Sequence, residues 1–133
     1  MEKALDLLSK HRNIVLATIE ENKPKVRVLQ IMKQEGTAFY FATSKEKAVC
    51  KQLQQNPYAE FIALYGDISV RVAAKVFFDV SDDMMKRIYD NNPVLHRFHD
   101  NYRSIAYFGL SAEKIDYYDL GTAPVTFQSF LLT

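Results

Sequence analysis

The stretch FYFATSKEKAVCKQL, Phe39 to Leu53, begins with strand-forming residues and ends with helix-forming ones. At the changeover stand Thr43, Ser44, Lys45 and Lys47. A helix that starts here exposes unpaired backbone N–H groups and the positive end of its dipole, a combination that attracts anions. The hydroxyls of Thr43 and Ser44 can donate to phosphate oxygens, and Lys45 and Lys47 can neutralise charge, with Glu46 turned outward. An arginine on a neighbouring strand would complete a clamp, because its planar fork grips phosphate through paired hydrogen bonds. Arg27 qualifies: it precedes the turn at Gly36, and a hairpin there brings Arg27 and Ala42–Thr43 to the same end of a strand pair. The same residues also suit an ordinary surface helix. Ser and Thr cap helices whatever the function, and lysines on an exposed face are solvated. Residue types alone leave both descriptions open.

Elements must hold these side chains. Residues 2–11 place Ala4, Leu5 and Leu8 on one helical face. NIVLATI (13–19) reads as a strand, and EENKP as a turn. Lys25–Met32 reads as a second strand. Lys25 and Arg27 lie on one face and Val26 and Val28 on the other, after which the alternation blurs, as in a strand buried on both faces. KQEG forms a hairpin turn before a third strand, Thr37–Ala42. Thr43 or Ser44 is expected to cap a helix that reaches about Gln55, buries Val49 and Leu53, and stops at Asn56-Pro57. Tyr58–Tyr65 and Ile68–Val80 form a long hairpin around Gly66-Asp67. SDDMMKRIYDNN has a Ser cap, early acids and one apolar face, and reads as a helix. Residues 92–103 suggest a further short helical segment, 105–110 and 115–120 two strands or one bent strand, and 125–131 the last strand. Short turns between successive strands point to a mainly β chain with peripheral helices (α+β), an antiparallel barrel within one domain, 1–133.

Composition narrows the function classes. The net charge of +1, from 17 basic and 16 acidic side chains, is no broad footprint for nucleic acid. Cys50 is the single cysteine, which excludes an intramolecular disulfide and a cysteine-based zinc site. No apolar run approaches the roughly 20 residues that span a bilayer, and the charged N-terminus MEKALDLLSKHRN lacks the apolar core of a signal peptide. A cytoplasmic protein without membrane contact is the expectation.

Other residues carry plain explanations. His96 and His99 are three apart, a spacing that could present both to a metal, but Arg97 and Asp100 beside them suggest a solvated surface. His11 at the end of the first helix suits the helix dipole. Cys50 lies too far into its helix to gain a low pKa from the N-terminus and reads as packing. Asp82-Asp83 is a helix-start charge pair. Tyr107, Tyr117 and Tyr118 lie in strands, and Met84-Met85 reads as core contact. No side chain is compelled to act as acid or base, and no metal site is expected.

The ordered succession KPKVRVLQIM, GTAFYFATSKEKAVCKQLQQNPYAEF and DISVRVAAKVFFD resembles the pyridoxamine 5'-phosphate oxidase-like family of FMN-binding split barrels, over about residues 1–130. The resemblance implies an antiparallel split β-barrel that binds FMN. Its phosphate would be held by Arg27 and Lys47, with Thr43, Ser44 and Lys45 assisting. Backbone of Val28, Leu29 and Gln30 and of Tyr40, Phe41 and Ala42 would line the flavin ring. It implies a homodimer with the flavin at the interface, closed by the partner chain, for which Ser69 is a loose match. The chain departs from true pyridoxamine phosphate oxidases at its C-terminus: it has no Trp, and its last basic residue is Lys114. That argues against pyridoxamine phosphate as substrate and leaves substrate and electron donor unassigned. The expectation is an FMN-dependent oxidoreductase. The alternatives are a non-catalytic flavin or haem carrier of the same fold, a deazaflavin in place of FMN, and a structural protein with an empty barrel.

Overall fold

The computed structural model describes residues 1–132. Eight strands and three α-helices follow in the order α1 (Glu2–Lys10), β1 (Asn13–Glu20), β2 (Lys23–Gln30), β3 (Lys33–Glu35), β4 (Ala38–Ser44), α2 (Ala48–Gln55), β5 (Tyr58–Tyr65), β6 (Ile68–Phe77), α3 (Asp82–Asn91), β7 (Ile105–Asp119) and β8 (Thr126–Leu131). All strand pairings are antiparallel, along the path β2-β1-β5-β6-β7-β4-β3. β7 is long enough to pair twice on one edge, with β4 over Ile105–Ser111 and with β8 over Lys114–Asp119. β2 and β3 are consecutive in the chain and separated by Ile31 and Met32, so they act as one bent strand. Its first half pairs with β1 and its second half with β4, which closes the sheet into a barrel.

The closure is incomplete. β3 pairs with β4 only over Ala38–Tyr40, and β2 pairs with no strand on the side away from β1. A split therefore runs between β2 and the end of β4. Strand alternation decides which backbone groups face it. The Ile31 amide bonds the Arg12 carbonyl, so at a period of two the amides of Val28 and Gln30 turn away from β1. The Met32 amide bonds the Tyr40 carbonyl, and the Ala112 amide bonds that of Thr37. By the same alternation Ala42 and Ser44 face the split.

Inside the barrel, Phe39, Phe41, Phe61 and Phe108 are fully buried with Leu16, Val70, Val72, Leu110 and Ile115. Their rings pack edge-on, Phe39 on Phe61 at 5.2 Å, or stacked, Phe41 on Phe108 at 5.3 Å. Each such ring contributes about 2–3 kcal/mol of burial. Helix α1 inserts Ala4, Leu7 and Leu8, and α2 inserts Val49 and Leu53. A second cluster forms outside the barrel, where Ile88 of α3, with Val80 before the helix and Leu95 after it, packs against Met32, Ala42, Ile105 and Tyr107.

Several sequence expectations need correction. β2 is not buried on both faces: Val26 and Val28 are each 67% exposed, on the outer face. It starts at Lys23 and ends at Gln30, short of Met32, where the chain bends to change partners. Thr43 and Ser44 do not cap α2. They stay in β4 because their backbone pairs with Ala106 and Ile105 of β7, and α2 begins at Ala48 with Lys47 at the cap and no side-chain cap bond. The Gly36 hairpin joins β3 to β4, so β2 is not the hairpin partner of β4. The second hairpin strand stops at Phe77 rather than Val80. Two expectations hold: residues 105–119 form one strand, the single-strand alternative, and the helical segment of 92–103 consists of two 3-10 turns, Pro93–Arg97 and Tyr102–Ser104.

The outer sheet face carries an apolar layer. Cross-strand partners Val28, Val15 and Ile62 lie side by side on β2, β1 and β5, as do Leu64, Ser69, Tyr118 and Phe127 across β5, β6, β7 and β8. Val28, Leu64 and Phe127 are more than half exposed.

Candidate functional site

Arg27 lies on the inner face of β2, opposite Leu16 of β1. Its Nη1 donates to the Leu16 carbonyl at 3.1 Å and its Nη2 to Oε1 of Gln52, on α2, at 2.5 Å. That oxygen also accepts from the Thr18 hydroxyl at 2.6 Å, while the Gln52 Nε2 donates to Glu20 Oε1 at 3.2 Å. Thr18 and Gln52 are buried. Partial burial pulls the Arg27 pKa below its usual value, yet a guanidinium remains charged at neutral pH. Among the described residues, no ion pair involves Arg27, Lys45 or Lys47. Sequence reasoning missed Gln52 and Thr18. The available signals were a hydroxyl inside the apolar run NIVLATI and a glutamine three residues after Val49, on the buried side of the helix.

Gln52 lies on the helix that Lys47 begins. At 1.5 Å of rise per residue, the two are about 7.5 Å apart along the axis. Thr43 and Ser44 are half-buried at the end of β4, and Lys45 and Lys47 are exposed in the turn that follows, with the Lys47 amide bonded to the Ser44 carbonyl at 3.1 Å. β2 and β4 run in opposite directions, so the end of β4 returns towards the part of β2 that carries Arg27. The site thus joins an inward arginine, a lysine-bearing turn and the open backbone edges of β2 and β4.

Not every expected residue converges by its side chain. Val28 points to the outer face, Leu29 packs against the core, and Gln30 is half-buried at the end of β2. Phe41 is fully buried inside the barrel, and Tyr40 packs edge-on against Phe77 at 5.6 Å, so neither side chain is free for a ligand. Ala42 is buried under α3. Of these residues, Val28, Gln30 and Ala42 turn their backbone amides to the split, whereas Leu29 and Phe41 turn theirs to β1 and β7. Ser69 is on the outer face, three strands from β2, in a groove of about 270 Å³ with Ile62, Arg71, Asp116, Tyr118 and Phe127. A groove of about 370 Å³ opens where β1 and β5 part beyond Ala17, between Ile19, Pro24, Tyr58 and Ala73.

His96 stacks on Tyr89 at 4.2 Å, and its Nε2 lies 2.9 Å from the Tyr89 carbonyl, while the His99 backbone carbonyl accepts from the Tyr89 hydroxyl at 2.7 Å. No cluster of potential metal ligands occurs among the described residues. Cys50 is half-buried, and burial pushes its thiol pKa up, away from nucleophilic use. Among the described residues, no helix is long and apolar enough to cross a membrane.

Comparison with known proteins fits this architecture. The chain is 30% identical over 104 residues to general stress protein 26 of Bacillus subtilis (strain 168), covering 74% of this chain and 72% of that protein. The crystal structure of general stress protein 26 from Bacillus anthracis superposes with a TM-score of 0.82 at 16% identity, covering 98% of this chain and 97% of that one. The fold is shared with proteins of different cofactors. An FMN-binding protein from Nostoc punctiforme has a TM-score of 0.68 at 16% identity, covering 99% and 94% of the two chains. A haem-binding protein from Mycobacterium smegmatis has a TM-score of 0.74 at 15% identity, covering 96% and 56%. Residues 1–113 match the pyridoxamine 5'-phosphate oxidase family, and with its split barrel and its close likeness to general stress protein 26 this chain belongs to that family.

Proposed function

We propose that this protein is a cytoplasmic FMN-binding flavoprotein, an oxidoreductase that works as a homodimer with the flavin at the interface. One observation carries the cofactor reading: Arg27 is a half-buried cation whose two hydrogen-bonded acceptors are neutral. A buried charge without a counter-ion is costly, and a phosphate at the split would supply one. The chain fits such a ligand in two further ways. Lys47 and Lys45 have no ion-pair partner among the described residues and stand beside the end of β4, with Thr43 and Ser44 before them. The amides of Val28, Gln30 and Ala42 line an open backbone edge, a source of the donors that a flavin's polar rim requires. Bound there, FMN would supply hydride and electron transfer. The chain's own part would be to anchor the phosphate through Arg27 and Lys47, orient the ring by backbone donors, and exclude water.

The apolar outer layer of Val15, Val28, Ile62, Leu64 and Phe127 supports the dimer, since a soluble monomer seldom leaves such a face uncovered. Ser69 lies on that face and would meet the flavin from the partner chain.

The test is an absorption spectrum of freshly purified protein, repeated after FMN is added and excess removed. A retained flavin spectrum, bleached by reduced nicotinamide and restored by oxygen, is expected. Flavin that binds but never cycles would make the protein a carrier. A Soret band, or protein that stays colourless, would overturn the flavin assignment.

A further inference from the structure

Arg27 is oriented by a partner that is itself fixed. Gln52 is only 4% exposed, and both ends of its amide are engaged: Oε1 accepts from Arg27 and Thr18, and one N–H of Nε2 donates to Glu20. A carboxylate can only accept, so Glu20 takes the NH2 end of the amide and leaves the oxygen end for the guanidinium and the hydroxyl. Negative charge is thereby held one side chain away from the cation. Val49 and Leu53, which flank this face of α2, are simply apolar. Burying a carboxamide and a hydroxyl between them costs desolvation that an aliphatic side chain would avoid.

We propose that Gln52 is a positioning residue for a phosphate: it pins the Arg27 guanidinium with a neutral acceptor, which fixes the fork and leaves its charge for an anion at the split. The proposal rests on the flavin-phosphate reading above and extends it to the helix behind the clamp. A fork already held at Nη1 and Nη2 loses little rotamer freedom when an anion arrives. A carboxylate in the same place would itself become the counter-ion and weaken the pull on phosphate.

The test is titration of FMN and, separately, riboflavin into the wild-type protein, Gln52→Glu and Gln52→Met, with melting temperatures recorded. Gln52→Glu keeps the shape and the Arg27 contact but gives up the donor to Glu20, and is expected to raise the FMN Kd about tenfold or more. Riboflavin binding should not change. Gln52→Met should weaken FMN about threefold, again without effect on riboflavin. Inorganic phosphate should raise the melting temperature of the wild type more than that of Gln52→Glu. Equal losses for the two ligands, or wild-type FMN affinity in Gln52→Glu, would overturn the role of Gln52. Arg27→Ala separates the two levels. If it selectively weakens FMN while the Gln52 variants do not, the phosphate site stands and the positioning role falls. If it leaves the FMN-to-riboflavin ratio unchanged, both fall.

Discussion

Two strand arginines in this molecule are held in opposite ways. Arg71, on the outer face of β6, donates to Asp116 Oδ2 from Nε at 3.3 Å and Nη2 at 2.9 Å, and has Glu60 at 3.8 Å. Asp116 is buried, and its other oxygen accepts from Ser129 at 2.6 Å. Burial alone would raise the Asp116 pKa, but the hydrogen bonds from Ser129 and Arg71, with the charges of Lys114 and Arg71, outweigh it and leave the carboxyl below its ordinary value. Arg71 is thus neutralised in place and stitches β6, β7 and β8. Arg27 has the same fork, a comparable number of bonds, and no carboxylate. The difference separates a structural cation from one whose charge is still available, and it lies in the partner rather than in the arginine.

The contrast predicts that the two arginines fail differently. The largest effect should be on binding: Arg27→Ala is expected to cost FMN about 1.5–3 kcal/mol, tenfold or more in Kd, with riboflavin spared. A fluorescence titration of both ligands reads this directly. Arg71→Ala should instead lower unfolding stability by about 2 kcal/mol in urea titrations, because it strips the cation from a buried carboxylate, and should leave the FMN-to-riboflavin ratio unchanged. That loss has a pH signature. A carboxyl depressed in the folded state adds stability above its unfolded pKa, near 3.9, and gives it up as pH falls through the lower folded value. The gap between wild type and Arg71→Ala should therefore be full at neutral pH and shrink below about pH 4. A gap that stays constant to lower pH would show that Arg71 acts by packing. Lys47→Ala is exposed and should weaken FMN less than Arg27→Ala, by about threefold to tenfold, with the difference shrinking as salt is added. Smallest is Tyr107→Phe. The Tyr107 hydroxyl is buried without a partner among the described residues, and burial, with the nearby Tyr89, Tyr102 and Asp90, pushes its pKa up to about 12. Its removal should be neutral or stabilise by up to about 1 kcal/mol, as thermal melts would show.

Much of the fold was legible because its signals are local. The apolar period of residues 2–11, the β-branched run at 13–19, the inward Val49 and Leu53 and the Ser81 cap, which accepts from the Met84 amide, all appear as the sequence implies. What failed depends on distant partners. Thr43 and Ser44 have good capping chemistry, yet pairing with β7, some sixty residues later, keeps them in a strand. The valines of β2 look the same in sequence whether they face a core or an uncovered outer surface. Of the candidate site, Arg27 and the lysine-bearing turn were visible as charges near strand and helix ends. Gln52 was hidden in KQLQQ, where a glutamine on a helix looks solvated, because only the packing of α2 against β1 turns it towards Thr18 and Arg27.

The double pairing along one edge of β7 also bears on how the chain reaches its native state. β4 spans residues 38–44 and its partner in β7 spans residues 105–111, so this seam has a high contact order, and such closures are slow. During synthesis β4 has to wait with its edge unpaired, a surface prone to mispairing with other chains. The hairpin of β5 and β6, whose partners are joined by the short Gly66 turn, can form early and offer β7 a template along its other edge. The order of assembly that follows is hairpin first, β7 upon it, and the barrel seam last, so the two strands that border the split meet their final geometry only at the end of folding.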